Sequence, residues 1–413
     1  MLTSTQLQLI KATVPTLQVH GTEITRVFYA SLFRAHPELL NIFNPVNQKN
    51  GRQANTLAAS ILSYAAHIDH LDRLGSMVNQ IAHKHVSLDV LPEHYPIVGE
   101  HLLGAIQTVL GDAATLEILD AWAAAYRQLA SIMMGVEGRM KAAGAEQEGG
   151  WHGFKPFTLT RRVQESAVIT SFELTPQDGQ PLPLFHPGQY ISVQLQVPGQ
   201  ATRQIRQYSL SDAPNGRTYR ISVKRESAPF PDADLPHGLI SSHLHDGLHL
   251  GDTVLVHMPA GDFVLRDNAR PVVLLSGGVG VTPMISMVNT LVANKSTRPV
   301  LFVHAALNRD VHAFREHVNS LTQTYPNLRK QVYYAQVMAE DQPGMHHDVE
   351  GLLSMDMLRP LLPLGDAEYY YCGPAGFAGA VEGLLDALGV PAEQRFTETF
   401  GPSRNFEVPS GTD

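Results

Sequence analysis

A histidine on the apolar face of one helix is the first residue in this sequence whose surroundings indicate chemistry. In a run predicted to be helical over residues 77–88, His85 follows Ile81 by four residues and precedes Leu88 by three, so all three share a face. His83 lies about 200° away from His85 around the helix. An imidazole on an apolar face is either a hydrogen-bonded core side chain or a metal ligand. If one of these histidines binds a metal, the spacing selects His85.

Two later helices carry groups suited to orienting such an imidazole. Tyr95 begins an apolar stripe in the helix predicted from Pro92, and Glu137 ends an apolar stripe in the helix predicted from Leu116. A buried carboxylate is costly without a partner, and a ligating imidazole usually donates its second N–H to an acceptor. Glu137 with Tyr95 beside it would supply that acceptor. The alternative is that Glu137 ends its helix in solvent.

A second group of side chains has the mixture of polar and apolar character that a gas-binding pocket needs. Gln53 and Leu57 are four residues apart and share one helical face, while Tyr29 follows Val27 and Phe28 in an earlier helix. Tyrosine and glutamine can donate hydrogen bonds to a polarised oxygen ligand, and leucine limits access and excludes water.

Two strings in the middle of the chain are typical of a flavin site, namely Pro187-Gly188-Gln189-Tyr190 and Arg206-Gln207-Tyr208-Ser209-Leu210. An aromatic ring can cover a flavin face, a hydroxyl can bond a ring nitrogen, and arginine can clamp a pyrophosphate. The alternative is strand packing with a solvated arginine, but an Arg-X-Tyr-Ser string resembles the mark of the ferredoxin-reductase-like superfamily. The helix predicted to begin at Gly238-Leu239-Ile240-Ser241 offers N–H groups and the Ser241 hydroxyl to the diphosphate. The candidate flavin residues are Tyr190, Arg206, Gln207, Tyr208, Ser209 and Ser241.

A glycine-rich turn follows the strand predicted over residues 272–276 and precedes a helix. Its glycines allow close approach of the backbone to a pyrophosphate, and we expect Thr282 to cap the helix and Pro283 to lie in its first turn. The turn lacks the Lys-Ser/Thr of nucleoside triphosphate loops, which disfavours ATP. A second turn, Cys372-Gly373-Pro374, is placed beside the nicotinamide, although Cys372 could simply pack in the core. The candidate residues of the first turn are Gly277, Gly278, Val279, Gly280, Val281 and Thr282.

The elements that must position these groups fall into three successive patterns. Helical spacing dominates residues 1–146, for example at 7–17, 24–33, 57–68 and 102–110. Residues 151–265 show strand patterns at 157–163, 168–174, 190–195, 219–223 and 254–258, which predicts an antiparallel β-barrel. Residues 266–413 alternate strands and helices, which predicts a doubly wound α/β domain. We therefore expect a multidomain chain: an all-α domain, an FAD-binding barrel, and an NAD(P)-binding domain of the ferredoxin-reductase-like type.

Composition excludes several classes of function. The chain has 413 residues, more than one hydrophobic core usually organises, and a formal charge of -9 that opposes a nucleic-acid partner. It has one cysteine, so it cannot form an internal disulfide, and residues 1–10 lack the blocks of a signal peptide. No apolar run approaches the roughly 18 residues of a transmembrane helix. A cytoplasmic protein without an integral membrane segment is expected.

Five segments of the helical part carry a family resemblance, namely Phe28-Tyr29, Ala35-His36-Pro37-Glu38-Leu39, Gly51-Arg52-Gln53, Ala82-His83-Lys84-His85 and Tyr95-Pro96-Ile97-Val98-Gly99-Glu100-His101-Leu102-Leu103. They closely resemble bacterial flavohaemoglobins, which implies that residues 1–146 form an all-α globin domain. This resemblance continues along the full length of the chain.

The resemblance implies a haem b group whose iron has His85 as its proximal ligand, with Tyr95 and Glu137 as charge-relay partners. Lys84 matches a position that tunes the redox behaviour. Near the C-terminus, Glu398-Thr399-Phe400-Gly401-Pro402 matches a segment whose aromatic ring shields the flavin and whose acidic residue approaches the haem domain, so we expect Lys84 and Glu398 to lie close together. The distal pocket is implied to contain Tyr29, Gln53 and Leu57.

By the same resemblance, the chain is expected to be a nitric oxide dioxygenase that detoxifies nitric oxide. Electrons would pass from NADH or NADPH to FAD and then singly to haem, where oxygen and nitric oxide give nitrate. One alternative is a haem-dependent hydroperoxide reductase, with a lipid in the distal pocket. Another is a sensor of oxygen or nitric oxide, which the intact flavin and nicotinamide motifs oppose. The choice between NADH and NADPH, the oligomeric state and the role of residues 403–413 stay open.

Overall fold

The computed structural model of the chain describes residues 2–43, 51–226, 238–362 and 365–400, without the side chains of Arg52 and Met355. Gly401 and Pro402, which the sequence assigned to the flavin site, lie outside the described residues. The same is true of the proline-rich segment at 228–236 and of residues 403–413.

The N-terminal part consists of helices packed around one apolar core that includes Phe28, Leu32, Ile106 and Trp122. The apolar run at residues 7–17 is not one helix, because Pro15 lies at the start of the second helix and has no N–H to continue the first. The helices are α1 (Ser4–Ala12), α2 (Val14–Ala35), α3 (Arg52–Ala66), α4 (Gly75–Ser87), α5 (His94–Leu110) and α6 (Leu116–Ala145).

The middle part is a six-stranded antiparallel sheet with the strand order β4-β3-β6-β1-β2-β5. A bridge between Leu210 and Ile221 connects the two edges and curls the sheet into a barrel. Strand β4 was not predicted from the sequence, because polar Gln and Arg side chains replace the usual apolar alternation. The elements are β1 (Phe154–Gln164), β2 (Ile169–Pro176), β3 (Tyr190–Leu195), β4 (Gln204–Ser209), β5 (Tyr219–Lys224), α7 (Leu239–Asp246) and β6 (Thr253–His257).

The C-terminal part is a six-stranded parallel sheet with the strand order β10-β9-β8-β7-β11-β12. The chain leaves β7 toward β8 on one side and returns to β11 on the other, so the carboxyl ends of β7 and β11 flank a topological switch point. Helix α9 and strand β12 were not predicted. The elements are β7 (Val272–Gly277), α8 (Val281–Ala293), β8 (Val300–Ala306), α9 (Arg315–Thr324), β9 (Leu328–Tyr334), β10 (Val349–Glu350), α10 (Met355–Leu358), β11 (Glu368–Cys372), α11 (Ala375–Ala387) and β12 (Arg395–Glu398).

A buried ion pair ties the segment that leaves the barrel to the parallel sheet. The Arg298 guanidinium donates to Glu368 Oε2 at 3.0 Å and to the carbonyls of Arg266 and Arg270 at 2.7 Å each. The hydroxyl of Tyr370 also donates to Glu368, at 2.9 Å. The side chains of Arg298 and Glu368 are only 7% and 1% exposed, so each charge depends on the other.

We expect Glu368→Ala to lower the free energy of unfolding by about 3–5 kcal/mol, because it leaves the buried Arg298 charge without a carboxylate to neutralise it. Asp366→Ala is the matched control, since Asp366 pairs with Arg270 at 2.9 Å but is 62% exposed. The control should change stability by about 0–1 kcal/mol. Urea unfolding of both variants measures the difference, and equal effects would contradict the assignment.

Candidate active site

The structure brings His85, Tyr95 and Glu137 together from three different helices. Glu137 Oε1 accepts hydrogen bonds from His85 Nδ1 at 2.8 Å and from the Tyr95 hydroxyl at 2.6 Å. The Glu137 side chain is 6% exposed, so it does not end its helix in solvent. Since Nδ1 is engaged, His85 presents Nε2 as its remaining ligand atom. The three side chains have the arrangement of an oriented metal-binding imidazole.

A close helix crossing holds Tyr95 in place. The hydroxyl of Tyr126 donates to the Tyr95 carbonyl at 2.6 Å. The ring of Tyr126 lies against Gly99, where an added Cβ would be only 2.5 Å from a ring carbon. Glycine at position 99 therefore permits α5 and α6 to approach closely enough for Tyr95 to reach Glu137.

The proposed distal residues also lie together. Tyr29 is buried, and its side chain is hydrogen-bonded to that of Gln53; burial raises the pKa of the Tyr29 hydroxyl, which stays protonated and able to donate. The Tyr29 ring stacks on Phe33 with centroids 5.7 Å apart and meets the edge of Phe43 at 5.8 Å. Leu57 packs against the same core from α3. These contacts leave a hydroxyl and an amide in an otherwise apolar environment.

Helix α4, which carries His85, also contacts the barrel. Gln207 of β4 accepts a hydrogen bond from Lys84 Nζ and donates to Ser87 Oγ at 2.6 Å. His83 Nδ1 accepts a hydrogen bond from the Gly261 N–H at 3.1 Å. The Gln207 side chain, which the sequence assigned to flavin binding, is therefore engaged by the helical part. The contact of His83 could not be predicted from the sequence, which shows only that His83 lies opposite His85 on its helix.

Glu398, at the end of β12, lies in the electrostatic field of this contact. Desolvation raises the pKa of its carboxyl group to about 7; Lys84 opposes the rise and Asp262 adds to it. The Thr399 N–H donates to Glu398 Oε1 at 3.0 Å. The charges of Lys84 and Glu398 influence each other's pKa, whereas the hydrogen bond of Lys84 goes to Gln207. Asp262 is a site residue that sequence reasoning missed, because it follows no motif and reaches the site only through the fold.

Tyr190 and the β4 residues lie on the neighbouring strands β3 and β4 of the barrel. Tyr190 pairs with Ser209 across the β3–β4 ladder, and alternation places Arg206 and Tyr208 on the opposite face from Gln207. Gly261 has φ +111° and lies under the Tyr190 ring, where a Cβ would be 2.9 Å from a ring carbon. This glycine lets the chain pass directly beneath the aromatic ring.

Helix α7 begins at Leu239, as the sequence predicted. Ser241 Oγ donates to the Gly238 carbonyl at 3.0 Å and accepts from the Glu226 N–H at 3.1 Å. These two hydrogen bonds of the Ser241 hydroxyl therefore hold Gly238 and Glu226 in place at the start of α7.

The two turns expected to hold the dinucleotide meet backbone to backbone at the switch point. A Cβ on Gly280 would lie 2.2 Å from the Cys372 carbonyl oxygen, and one on Gly373 would lie 3.1 Å from the Gly277 nitrogen. The ring of Phe377, which sequence reasoning missed, covers both Gly277 and Gly373. Only glycine allows this contact.

The prediction that Thr282 caps α8 is wrong. The helix begins at Val281 with Gly280 as its N-cap and no side-chain cap, and the Thr282 hydroxyl donates to the Val279 carbonyl at 3.1 Å. Thr282 is already inside the first turn, where its hydroxyl bonds backward. The N–H groups at the start of α8 are thereby left uncapped, which suits an anion.

The remaining predicted residues border the same region. Cys372 is completely buried beside Gly280, and burial raises the pKa of its thiol well above the usual value. Pro374 is the N-cap residue of α11. Phe400 directly follows Thr399 and is 49% exposed, a high value for an aromatic side chain that suits a ring-shielding role.

Family models match all three parts of the chain. The globin model covers residues 26–133, the oxidoreductase FAD-binding domain covers 156–265, and the oxidoreductase NAD-binding domain covers 274–383. The predicted order of an all-α globin, an antiparallel FAD-binding barrel and an α/β NAD-binding domain is confirmed. Among the described residues, no helix combines the length and the apolar character needed to cross a bilayer.

Similar proteins cover almost the whole chain. The flavohemoprotein of Deinococcus radiodurans is 62% identical over 98% of both chains, and that of Bordetella pertussis is 48% identical over 95% of this chain and 97% of its own. The crystal structure of a Malassezia yamatoensis flavohemoglobin with bound FAD and heme has a TM-score of 0.84 at 26% identity, covering 97% of this chain and all of its own. The FAD/NAD-binding domain of nitric oxide dioxygenase from Vibrio cholerae has a TM-score of 0.54 at 37% identity, covering 62% of this chain and all of its own.

We expect the Glu398 carboxyl group to titrate near pH 7, as its pKa of about 7 requires. Asp262→Asn should lower this pKa by removing a negative charge, and Lys84→Met should raise it by removing a positive one. Infrared titration of the protonated carboxyl band measures the pKa, with Glu398→Gln identifying the band.

The stability linkage of Glu398 follows from the same shift. Because the folded-state pKa lies above the ordinary value of 4.5, Glu398 favours the folded state fully below pH 4.5 and loses this contribution as the pH rises through 7. Identical pKa values in wild type, Asp262→Asn and Lys84→Met would contradict the electrostatic assignment.

Proposed function

This chain belongs to the flavohaemoprotein family, and on that premise we propose that it is a cytoplasmic nitric oxide dioxygenase that uses NADH or NADPH to convert nitric oxide and oxygen to nitrate. The observation that carries the proposal is the double role of α4. Its His85 engages Glu137 inside the globin, while the neighbouring Lys84 and Ser87 bond to Gln207 of the FAD-binding barrel. A candidate iron ligand and a candidate flavin wall are thus joined by a single helix.

The proximal residues fit a haem group on chemical grounds. A carboxylate that accepts the Nδ1 proton fixes the imidazole tautomer with Nε2 unprotonated, which is the form that binds iron. It also makes the imidazole a stronger electron donor, and this favours oxygen activation over reversible oxygen storage. Glu137 is suited to this role because its second donor, Tyr95, keeps it in place at 2.6 Å.

The distal residues act on oxygen and nitric oxide. The buried Tyr29 hydroxyl and the Gln53 amide would donate hydrogen bonds to oxygen, and Leu57 with the aromatic side chains would exclude water. Oxygen that carries partial negative charge benefits most from such donors, since hydrogen bonds to charged groups are the strong ones.

The remaining roles in the proposed reaction belong to residues of the FAD-binding and NAD-binding parts. When bound, nicotinamide supplies a hydride, flavin accepts two electrons and passes them on singly, and haem iron accepts them one at a time. Tyr190, Tyr208 and Ser209 would border the flavin ring, with Arg206 and the start of α7 at its diphosphate. Lys84 and Glu398 would set the charge between the cofactors. The dinucleotide and the outer face of the flavin would be bordered by Gly277 to Thr282, Cys372, Gly373, Pro374, Thr399 and Phe400. Gly401 and Pro402, which the sequence assigned to the same region, lie outside the described residues.

We expect His85→Ala to abolish stable haem binding and leave FAD bound, because the variant removes the iron ligand without touching the barrel. His83→Ala is the matched control, two residues away, where the side chain bonds to Gly261 and not to Glu137. The ratios of haem and flavin absorbance to protein measure the outcome. A wild-type haem ratio in His85→Ala would overturn the assignment of the ligand.

The reaction itself is tested by aerobic NADH oxidation with and without nitric oxide. Nitric oxide should accelerate NADH consumption, with two molecules of nitrate formed per NADH, since one NADH supplies two single-electron reductions. Hydroperoxide-dependent oxidation without a response to nitric oxide would favour the peroxidase alternative. No rapid oxidation under either condition would favour the sensor.

Tyr29→Phe tests the distal donor. Loss of a hydrogen bond worth roughly 1–3 kcal/mol should speed oxygen dissociation by about 5- to 150-fold and lower nitric oxide turnover at limiting oxygen. Tyr64→Phe is the control, because its buried hydroxyl donates to the Ala125 carbonyl at 2.9 Å within the same core. Stopped-flow oxygen release compares the two, and a Tyr29→Phe rate within about twofold of wild type would make Gln53 the leading donor.

A further inference from the structure

The position of the adenosine end of the dinucleotide follows from the topology of the parallel sheet. In a doubly wound sheet the pyrophosphate lies at the first glycine turn, here Gly277–Gly280 after β7. The turn at Cys372, on the β11 side of the switch point, is assigned to the nicotinamide. The adenosine end must then lie on the other side, over the carboxyl ends of β8 and β9.

Two loops form this edge and are held together. The Gln336 N–H donates to the Leu307 carbonyl at 2.8 Å, and the Ala335 N–H donates to the Ala306 carbonyl at 3.1 Å. Leu307 is 51% exposed, which provides an apolar surface at the edge. In the sequence of these loops, residues 307–311 and 335–342, Arg309 is the only lysine or arginine. Arg315, which lies against Tyr334 at the end of β9, is paired with Glu316 at 2.9 Å. Arg309 is therefore the cation that these loops offer to the 2′-phosphate that distinguishes NADPH from NADH.

Arg309 is already committed to two carboxylates. Its guanidinium lies 3.1 Å from Glu340 and 3.4 Å from Asp341 Oδ1. The Asp341 side chain is completely buried, and its other oxygen accepts the Met338 N–H at 2.9 Å. Asp341 Oδ1 has no hydrogen bond in the described structure, and Arg309 and His346, at 3.4 and 3.7 Å, are its cationic neighbours.

These contacts oppose a 2′-phosphate in two ways. If Arg309 turned toward a phosphate, Asp341 would lose its permanent cation while remaining buried, which is strongly unfavourable. If Arg309 stayed in place, the exposed Glu340 carboxylate would repel a phosphate dianion. A free 2′-hydroxyl neither draws Arg309 away from Asp341 nor is repelled by Glu340, and it can donate a hydrogen bond to a carboxylate.

We propose that Glu340 and Asp341 make this chain selective for NADH over NADPH by holding Arg309 away from the adenosine ribose. The inference deepens the proposed function, on which it rests for the use of a nicotinamide dinucleotide. It names Glu340 and Asp341 as specificity-determining residues, although neither belongs to the glycine-rich motifs.

The test is calorimetric titration of the full-length holoprotein with ADP-ribose and with 2′-phospho-ADP-ribose. Both probes lack nicotinamide, so binding is measured without turnover. Wild type should bind ADP-ribose about tenfold or more tightly than the phosphorylated probe, since one charged contact is worth at least that ratio. Glu340→Gln/Asp341→Asn should improve binding of the phosphorylated probe about tenfold, with ADP-ribose binding retained as evidence of an intact site.

Two controls separate the release of Arg309 from a simple change in charge. Asp310→Asn removes an exposed neighbouring carboxylate and should leave the ratio of affinities within about twofold. Adding Arg309→Met to the double variant should remove its gain. Equal affinity of wild type for both probes, or an unchanged ratio in the double variant, would overturn the selectivity alone. Failure of both probes to bind wild type would overturn the inference together with the nicotinamide step, whereas a missing response to nitric oxide leaves the affinity ratio intact.

Discussion

The fold of the globin part depends on burying one carboxylate. Glu137 can lie in an apolar environment only because an imidazole and a phenol donate to the same oxygen, from α4 and α5 respectively. The requirement works in both directions: the carboxylate needs its donors, and His85 needs an acceptor to hold one tautomer and one ring orientation. Packing at Gly99 supplies the rest, since it brings α5 close enough to α6 for Tyr95 to reach Glu137.

The helix that carries His85, α4, also connects the globin part to the FAD-binding barrel. His85 of α4 bonds to Glu137, while Ser87 and His83 of the same helix bond to Gln207 and Gly261 of the barrel part, so the imidazole and the contact to the barrel are held by neighbouring residues. Glu398, whose carboxyl pKa is raised to about 7 by desolvation, lies at the same junction. The contact that holds α4 against the barrel is therefore also the place where the charges of Lys84, Asp262 and Glu398 interact.

The sequence predicted the placement of a residue where this placement follows from the pattern of the residue's own helix, strand or turn. Apolar stripes placed His85, Tyr95 and Glu137 on the faces that meet, and glycine turns after predicted strands located the switch point.

Prediction failed where the contacts of a residue are made by another part of the chain that packs against it. The polar strand β4 gave no strand pattern, Gln207 and His83 are engaged across the contact between parts, and Asp262 influences Glu398 only through space. The predicted cap, Thr282, lies two residues after the observed N-cap, Gly280, because helix starts are set by hydrogen bonding that spacing does not show.

The close approach of Gly280 to the Cys372 carbonyl has a consequence for chemical durability. In the proposed reaction the protein would be exposed to nitrosating and oxidising species, and these attack the thiolate form of cysteine. The only cysteine of the sequence is sealed beneath the backbone of the glycine turn, and burial holds the pKa of its thiol well above the usual value. The Cys372 thiol is thus kept protonated and inaccessible to oxidants in solvent. The sequence contains no other thiol on which S-nitrosation or sulfenic acid formation could begin.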